Sequence, residues 1–147
     1  MRELSRSRSR LGVALGLAVL AMAGGCARPR AVPQGPAPPT GYEERGYASW
    51  YGRAHHGFRT ASGEPYDMTR MTAAHRTLPF GTWIHVENLD NHRTVEVRIN
   101  DRGPFVDQRI LDLSHAAASV IGAIGPGLVP IRLRVIGTRP TRSGAAD

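Results

Sequence analysis

A small, mainly β fold built from many short strands is what the sequence predicts, and three observations carry it. Apolar and polar residues alternate over three separate runs, 17 glycines and 11 prolines punctuate the chain, and one stretch alone reads as a capped helix. Strict alternation sets one face of a strand against a core and the other toward water. Hydrophobic residues at 41%, with so much Gly and Pro, point to a loop-rich β fold rather than a helical bundle. A length of 147 residues suffices for one domain with a modest core. Short strands with few helices satisfy their edges by closing into a small barrel.

The elements follow in order. Tyr47–Tyr51 is the first strand candidate. Ile84 and Val86 alternate with His85 and Glu87, and Val95, Val97 and Ile99 alternate with Glu96 and Arg98. Between these two runs lies NLDNHR, whose Asn and Asp residues tolerate tight-turn angles, so the runs form a hairpin. Arg109–Leu113 is a further short strand. Ser114 then caps a helix through Ala116, Ala117, Ala118 and Val120, which Gly122 and Gly125 end. Ile131, Leu133 and Val135, alternating with Arg132 and Arg134, close the series.

The N-terminus carries a targeting signal. Four arginines precede LGVALGLAVLAMAGG, an apolar stretch shorter than the roughly 20 residues that span a bilayer. Residues 1–25 therefore read as a secretory signal peptide. The only cysteine, Cys26, follows Ala23-Gly24-Gly25, and AGGC resembles the lipobox at which bacterial lipoprotein signals are cut and the thiol acylated. Cys26 is the expected lipidation site; the alternative is an ordinary signal peptide and a free thiol. A single cysteine forms no intrachain disulfide. Residues 26–44, rich in proline and poor in large apolar side chains, read as a tether, residues 45–137 as the folded domain, and residues 138–147 as a disordered tail.

The formal charge of +7 divides along the same lines. The first 25 residues hold four Arg against one Glu, and the rest holds 15 Arg against 11 acids, a balance of +4. These arginines are scattered among acids, which suits a solvated mixed surface, with attraction to an acidic polymer as the second reading, and gives nucleic-acid binding little support.

NDRGPF, Asn100–Phe105, sets a charged group directly after a strand, where Gly103-Pro104 turns the chain. Asp101 there has two readings: a turn cap through its own backbone, or a catalytic acid on a rigid edge. Tyr47, Trp50, Tyr51 and Tyr66 have two readings as well, as core or as stacking surfaces for sugar rings. Adjacent His55 and His56 point apart and have no ligand partner at metal spacing, so no metal or other cofactor is expected. Asp112 is read as support for the helix start before Ser114, with a contact to glycan as its second reading, and Arg102 as a partner of a carboxylate or of substrate.

Taken together, GYASWYGRAHHGFRTASGEPYDM, MTAAHRTLPFGTWIHVENL, VRINDRGPF and RILDLSHAAASVIG strongly resemble the rare-lipoprotein-A family of bacterial envelope proteins. The resemblance runs from about Gly46 to Ile136, with several motifs in the family's order. It implies a six-stranded double-psi β-barrel with one or two short helices, and a lytic transglycosylase acting on peptidoglycan glycan strands. That reaction cleaves the bond between N-acetylmuramic acid and N-acetylglucosamine and leaves a 1,6-anhydro end. The family's functional positions fall on Glu64 in TASGE, His75 in TAAH and Asp101 in NDRGPF. Asp101 is the implied general acid/base, with Glu64 or partial burial raising its pKa and His75 orienting substrate or carboxylate. One carboxyl group suffices, unlike in most glycosidases. The runner-up is a noncatalytic, expansin-like glycan-binding module; a protein-binding scaffold has no supporting motif.

Because Ala27 is not the aspartate that commonly retains lipoproteins in the inner membrane, an anchor in the outer membrane facing the periplasm is expected in a cell with two membranes. Cys26→Ser is expected to move the protein from the membrane to the soluble fraction. Fractionation together with mass spectrometry of the N-terminal peptide checks this, and a wild type without acylation would refute it.

Overall fold

A computed structural model of the chain describes residues 35–138. The expected signal peptide, Cys26, the tether up to Gln34 and the tail after Thr138 lie outside the described residues. Six strands form a closed barrel: β1 (Glu43–Tyr51), β2 (Thr72–His75), β3 (Thr82–Asn88), β4 (Thr94–Asp101), β5 (Arg109–Ser114) and β6 (Val129–Thr138), in the order β1-β5-β2-β4-β3-β6. One helix, α1 (His115–Val120), and a 3-10 turn at Arg53–His55 complete it. β1 pairs in parallel with β5, and β2 with β4; the other pairings are antiparallel.

Alternation explains five of the six strands. β3 is buried at every second position, and Ile84, Val86, Val97, Ile99, Leu111, Leu113, Ile131 and Leu133 fill the interior with no exposure. β2 is the strand that periodicity missed. All four residues of Thr-Ala-Ala-His are buried, so the strand is covered on both faces and has no polar face to produce a period of two.

β1 begins at Glu43, two residues before the expected domain start, because Glu43 and Glu44 pair with Arg134 and Leu133 of β6. The hairpin between β3 and β4 is present. His92 takes a positive φ of 59° in its turn, and Asn88 Nδ2 donates to Ile121 O at 2.9 Å, tying the turn to the end of α1. Ser114 caps α1 as expected, its hydroxyl accepting from Ala117 N at 3.2 Å. Ala117, Ala118 and Ile121 then pack into the core.

Both parallel pairings skip one residue. Tyr47 lies opposite Arg109 but Ala48 opposite Leu111, and Ala73 lies opposite Ile99 but Ala74 opposite Asp101. Such irregularities re-aim the side chains that follow them. Ala48 and Leu111 thereby both face the core, while Ser49 and Asp112, paired next, share the outer side. Gly46 belongs to this arrangement, since a Cβ there would stand 2.7 Å from Ile110 Cγ2. Leu111→Ala is expected to destabilise the barrel by about 2–5 kcal/mol, the range for an emptied core position, as read from urea unfolding.

Candidate active site

A cleft of about 630 Å³ crosses the outer side of the barrel. Trp50, Tyr51, Phe58 and Tyr66 give it aromatic walls, and Asp101, Asp112, Arg102 and Arg109 its charges. Asp101 ends β4 and faces this cleft. Its Oδ1 accepts from Ala61 N and from Arg102 N, each at 2.8 Å. Its Oδ2 accepts no hydrogen bond among the described residues and is left for the cleft. The bond from Arg102 N fits the turn-capping reading of Asp101, but the bond from Ala61 reaches 40 residues back and aims the group.

The Ala61 N–H is itself held in place. Thr60 N and Thr60 Oγ1 both donate to Glu64 O, at 2.8 and 2.9 Å, and Gly63 N returns to Thr60 O at 2.9 Å. Gly63 sits at φ +91°, an angle that glycine adopts without the clash of a Cβ. TASGE is thus a closed turn that delivers one N–H to Asp101.

The structure does not place Glu64 or His75 among the cleft-lining residues. Glu64 makes a two-pronged pair with Arg98, Oε1 to Nη1 at 2.9 Å and Oε2 to Nη2 at 2.7 Å, with Asn100 Nδ2 at 3.4 Å. The Arg98 hydrogen bonds hold the Glu64 carboxyl below its usual range. The Glu64 charge is therefore answered by Arg98 rather than turned on Asp101.

His75 is only 3% exposed. Its Nδ1 accepts from Leu78 N at 3.0 Å and from Thr77 N at 3.2 Å, which leaves Nε2 to donate to Glu44 Oε2 at 3.2 Å. Burial lowers its pKa, Arg102 and Arg76 push the same way, and Glu44 opposes them. The neutral ring also suits Nδ1, which cannot accept two N–H groups once protonated.

Other residues depart from their expected roles. Asp112 does not support the helix start; its Oδ1 accepts from Ser49 Oγ at 2.5 Å and Arg109 Nη2 at 2.6 Å, beside the cleft. Arg102 donates to Leu78 O at 2.9 Å and lies 3.8 Å over the Phe80 ring. Trp50, Tyr51 and Tyr66 line the cleft, Trp50 also packs against the core and Tyr66 is buried; Tyr47 does not line the cleft. His55 lines the cleft, and His56 Nδ1 accepts from Met68 N at 3.2 Å.

Sequence reasoning missed Arg76, which donates to Pro104 O at 2.7 Å, Val106 O at 2.5 Å and Arg109 O at 2.7 Å. It clamps the loop between β4 and β5. Its signal was available only as an arginine beside a predicted site residue.

A barrel with this connectivity and a carboxylate at the mouth of an aromatic cleft defines a recognisable class. Residues 43–133 match the family described as lytic transglycolase, and the chain belongs to that double-psi β-barrel family. A Campylobacter jejuni protein named endolytic peptidoglycan transglycosylase RlpA is 54% identical over 99 residues, covering 67% of this chain and 36% of that protein. The Vibrio cholerae protein of the same name is 51% identical over 105 residues, covering 71% of this chain and 40% of its own. The chain thus spans well under half the length of these relatives. Among solved structures, the Streptomyces papain inhibitor superposes with a TM-score of 0.55 at 26% identity, over 67% of this chain and 97% of the inhibitor. An expansin of Clavibacter michiganensis, at 0.53 and 22% over 71% of this chain and 53% of the expansin, shares the fold.

The lowered His75 pKa gives a signed prediction. Below about pH 6.5 the unfolded chain binds a proton at this position that the folded one resists, so stability falls with pH from there toward the folded-state pKa. The urea midpoint is expected to drop between pH 7 and pH 5, and to drop less in His75→Gln.

Proposed function

We propose that the protein is a lytic transglycosylase that cleaves peptidoglycan glycan strands, with Asp101 as its general acid/base. One observation carries the reading: Asp101 is fixed through Oδ1 by two backbone N–H groups and presents Oδ2 to an aromatic cleft. The family membership and the names of its relatives support the same chemistry.

In the first step, protonated Asp101 gives its proton to the bridging oxygen while the bond from muramic C1 to that oxygen breaks. The leaving N-acetylglucosamine keeps the oxygen as its hydroxyl. In the second step, the muramic 6-hydroxyl attacks C1, a C1–O6 bond forms, and its proton returns to the Asp101 carboxylate. No water is consumed and no second nucleophile is used. Trp50, Tyr51 and Tyr66 supply apolar faces for the sugar rings.

Glu64 and His75 act here as positioning residues. The Glu64 carboxylate holds Arg98 and Asn100 beside Asp101 while its main-chain carbonyl closes the turn that delivers Ala61 N–H, and His75 holds the 75–78 turn whose carbonyls receive Arg102. The domain works in the cell envelope from a signal peptide over residues 1–25, acylation at Cys26 and a proline-rich tether, with the outer membrane as the anchoring surface.

Digestion of purified sacculi followed by mass spectrometry of the released products tests the reading. Wild type is expected to release fragments with 1,6-anhydro-muramic ends. Asp101→Asn keeps size and hydrogen-bonding capacity but not the titrating proton, and is expected to stay folded, to bind glycan and to lose at least about a hundredfold in product formation. Glu64→Gln and His75→Ala are expected to lose less. Binding without any anhydro product by wild type would favour the expansin-like module instead.

A further inference from the structure

One lip of the cleft is used neither by the barrel nor by the assignment of Asp101. Residues 52–58 fold as consecutive tight turns, with His55 N donating to Gly52 O and His56 N to Arg53 O at 3.1 Å, and Phe58 N to His55 O at 3.0 Å. Gly57 N donates to Tyr66 O at 2.9 Å and Tyr66 N to Phe58 O at 2.8 Å, which ties the lip to a residue only 3% exposed. The Phe58 backbone is therefore fixed at both its N–H and its carbonyl. Its side chain nevertheless lines the cleft at 67% exposure. A large aromatic face held out to water on a pinned backbone is stabilised once an apolar surface covers it.

Arg53 stands on the same lip. Four arginines line the cleft against two aspartates, Asp101 and Asp112. Three of the four are engaged: Arg59 donates to Gly63 O at 2.8 Å, Arg102 to Leu78 O at 2.9 Å and Arg109 to Asp112 Oδ1 at 2.6 Å. Arg53 is exposed, and its guanidinium makes no hydrogen bond or ion pair among the described residues. A planar guanidinium of this kind matches the geometry of a carboxylate.

We propose that Arg53 and Phe58 form a subsite for an acidic sugar of the glycan strand, Phe58 stacking on the pyranose ring and Arg53 pairing with a carboxylate that the sugar carries. The proposal rests on peptidoglycan strands being the substrate. Muramic acid is the acidic sugar of such a strand. Its lactyl ether ends in a carboxylate, or in a peptide whose own acidic groups supply one. The lip is also joined to the site of chemistry, since three residues past Phe58 the Ala61 N–H holds Asp101 Oδ1 at 2.8 Å. A ring seated on the lip is thereby placed relative to the acid/base.

Equilibrium binding of solubilised strands to the full protein carrying Asp101→Asn, which is expected to leave them uncut, tests this. Three preparations serve as probes: strands stripped of peptide, the same strands with the lactyl carboxylate capped as a methylamide, and strands with peptide intact. Arg53→Gln is expected to weaken binding of carboxylate-bearing strands about fivefold and of capped strands not at all. Added salt is expected to shrink that difference. Phe58→Ala is expected to weaken binding of all three at least about fivefold, and Phe58→Tyr to restore it. A loss on stripped strands that capping abolishes assigns the lactyl carboxylate, and a loss confined to intact strands assigns a carboxylate of the peptide. An Arg53→Gln variant that binds stripped and intact strands as tightly as its parent overturns the proposal, and so does a Phe58→Ala variant without loss. Failure of the parent to bind any strand would instead defeat the reading of the substrate, and shortening of the strands during the measurement would defeat the assignment of Asp101.

Discussion

Ala73 pairs with Ile99 and Ala74 with Asp101, so Asn100 has no counterpart across the ladder between β2 and β4. Strict alternation from the buried Ile99 would send Asn100 outward and Asp101 inward. The extra residue reverses this: Asn100 is 2% exposed, and Asp101 shares the cleft with Ala74. Burying Asn100 leaves its Oδ1 without a partner among the described residues. The strand offsets part of that cost, since Asn100 O accepts from Ser62 N at 3.2 Å and Nδ2 reaches Glu64. The same irregularity therefore aims the carboxylate and seats the turn that holds it.

The rim of the cleft depends on cations that bind carbonyls. Arg76 collects two carbonyl oxygens from the loop after β4 and a third from the start of β5, and Arg102 reaches back to Leu78 O while covering Phe80. A planar guanidinium with five donors suits this task, and a lysine would reach fewer of these oxygens at once. Phe105, 81% exposed, rides on the loop that Arg76 clamps. The rim is thus fixed by the chain's own contacts, as the proposed single proton-transfer group would demand.

Most of the fold was legible in the chain because it is a matter of alternation. The runs at Ile84, Val95 and Ile131 became β3, β4 and β6, and Ser114 capped α1. β2 was legible only through the family resemblance, since a strand buried on both faces has no alternation to display. Asp101 was legible as a carboxylate on a turn. The roles of its neighbours were not. Glu64 and Arg98 are 34 residues apart, His75 and Glu44 are 31 apart, and Asp112 and Ser49 are 63 apart. The register of β1 on β5 brings Ser49 to Asp112, whereas Glu64 reaches Arg98 from a turn and Glu44 reaches His75 from a strand that β5 separates from β2.

Charge distribution then distinguishes the carboxylates near the cleft. Glu64 is paired with Arg98 and Asp112 with Arg109, at 2.7 and 2.6 Å. A carboxylate in a close ion pair gives up its charge reluctantly, because protonation forfeits the pair. Asp101 is held differently, by two backbone dipoles on one oxygen. That arrangement fixes the direction of the group without a side-chain ion pair, and its second oxygen accepts no hydrogen bond among the described residues. Lytic cleavage asks one group to give a proton and then recover it within a single turnover. Of the acids lining this cleft, Asp101 is the one fixed by backbone N–H groups and not by a side-chain ion pair, which is why the proposed acid/base role falls on it.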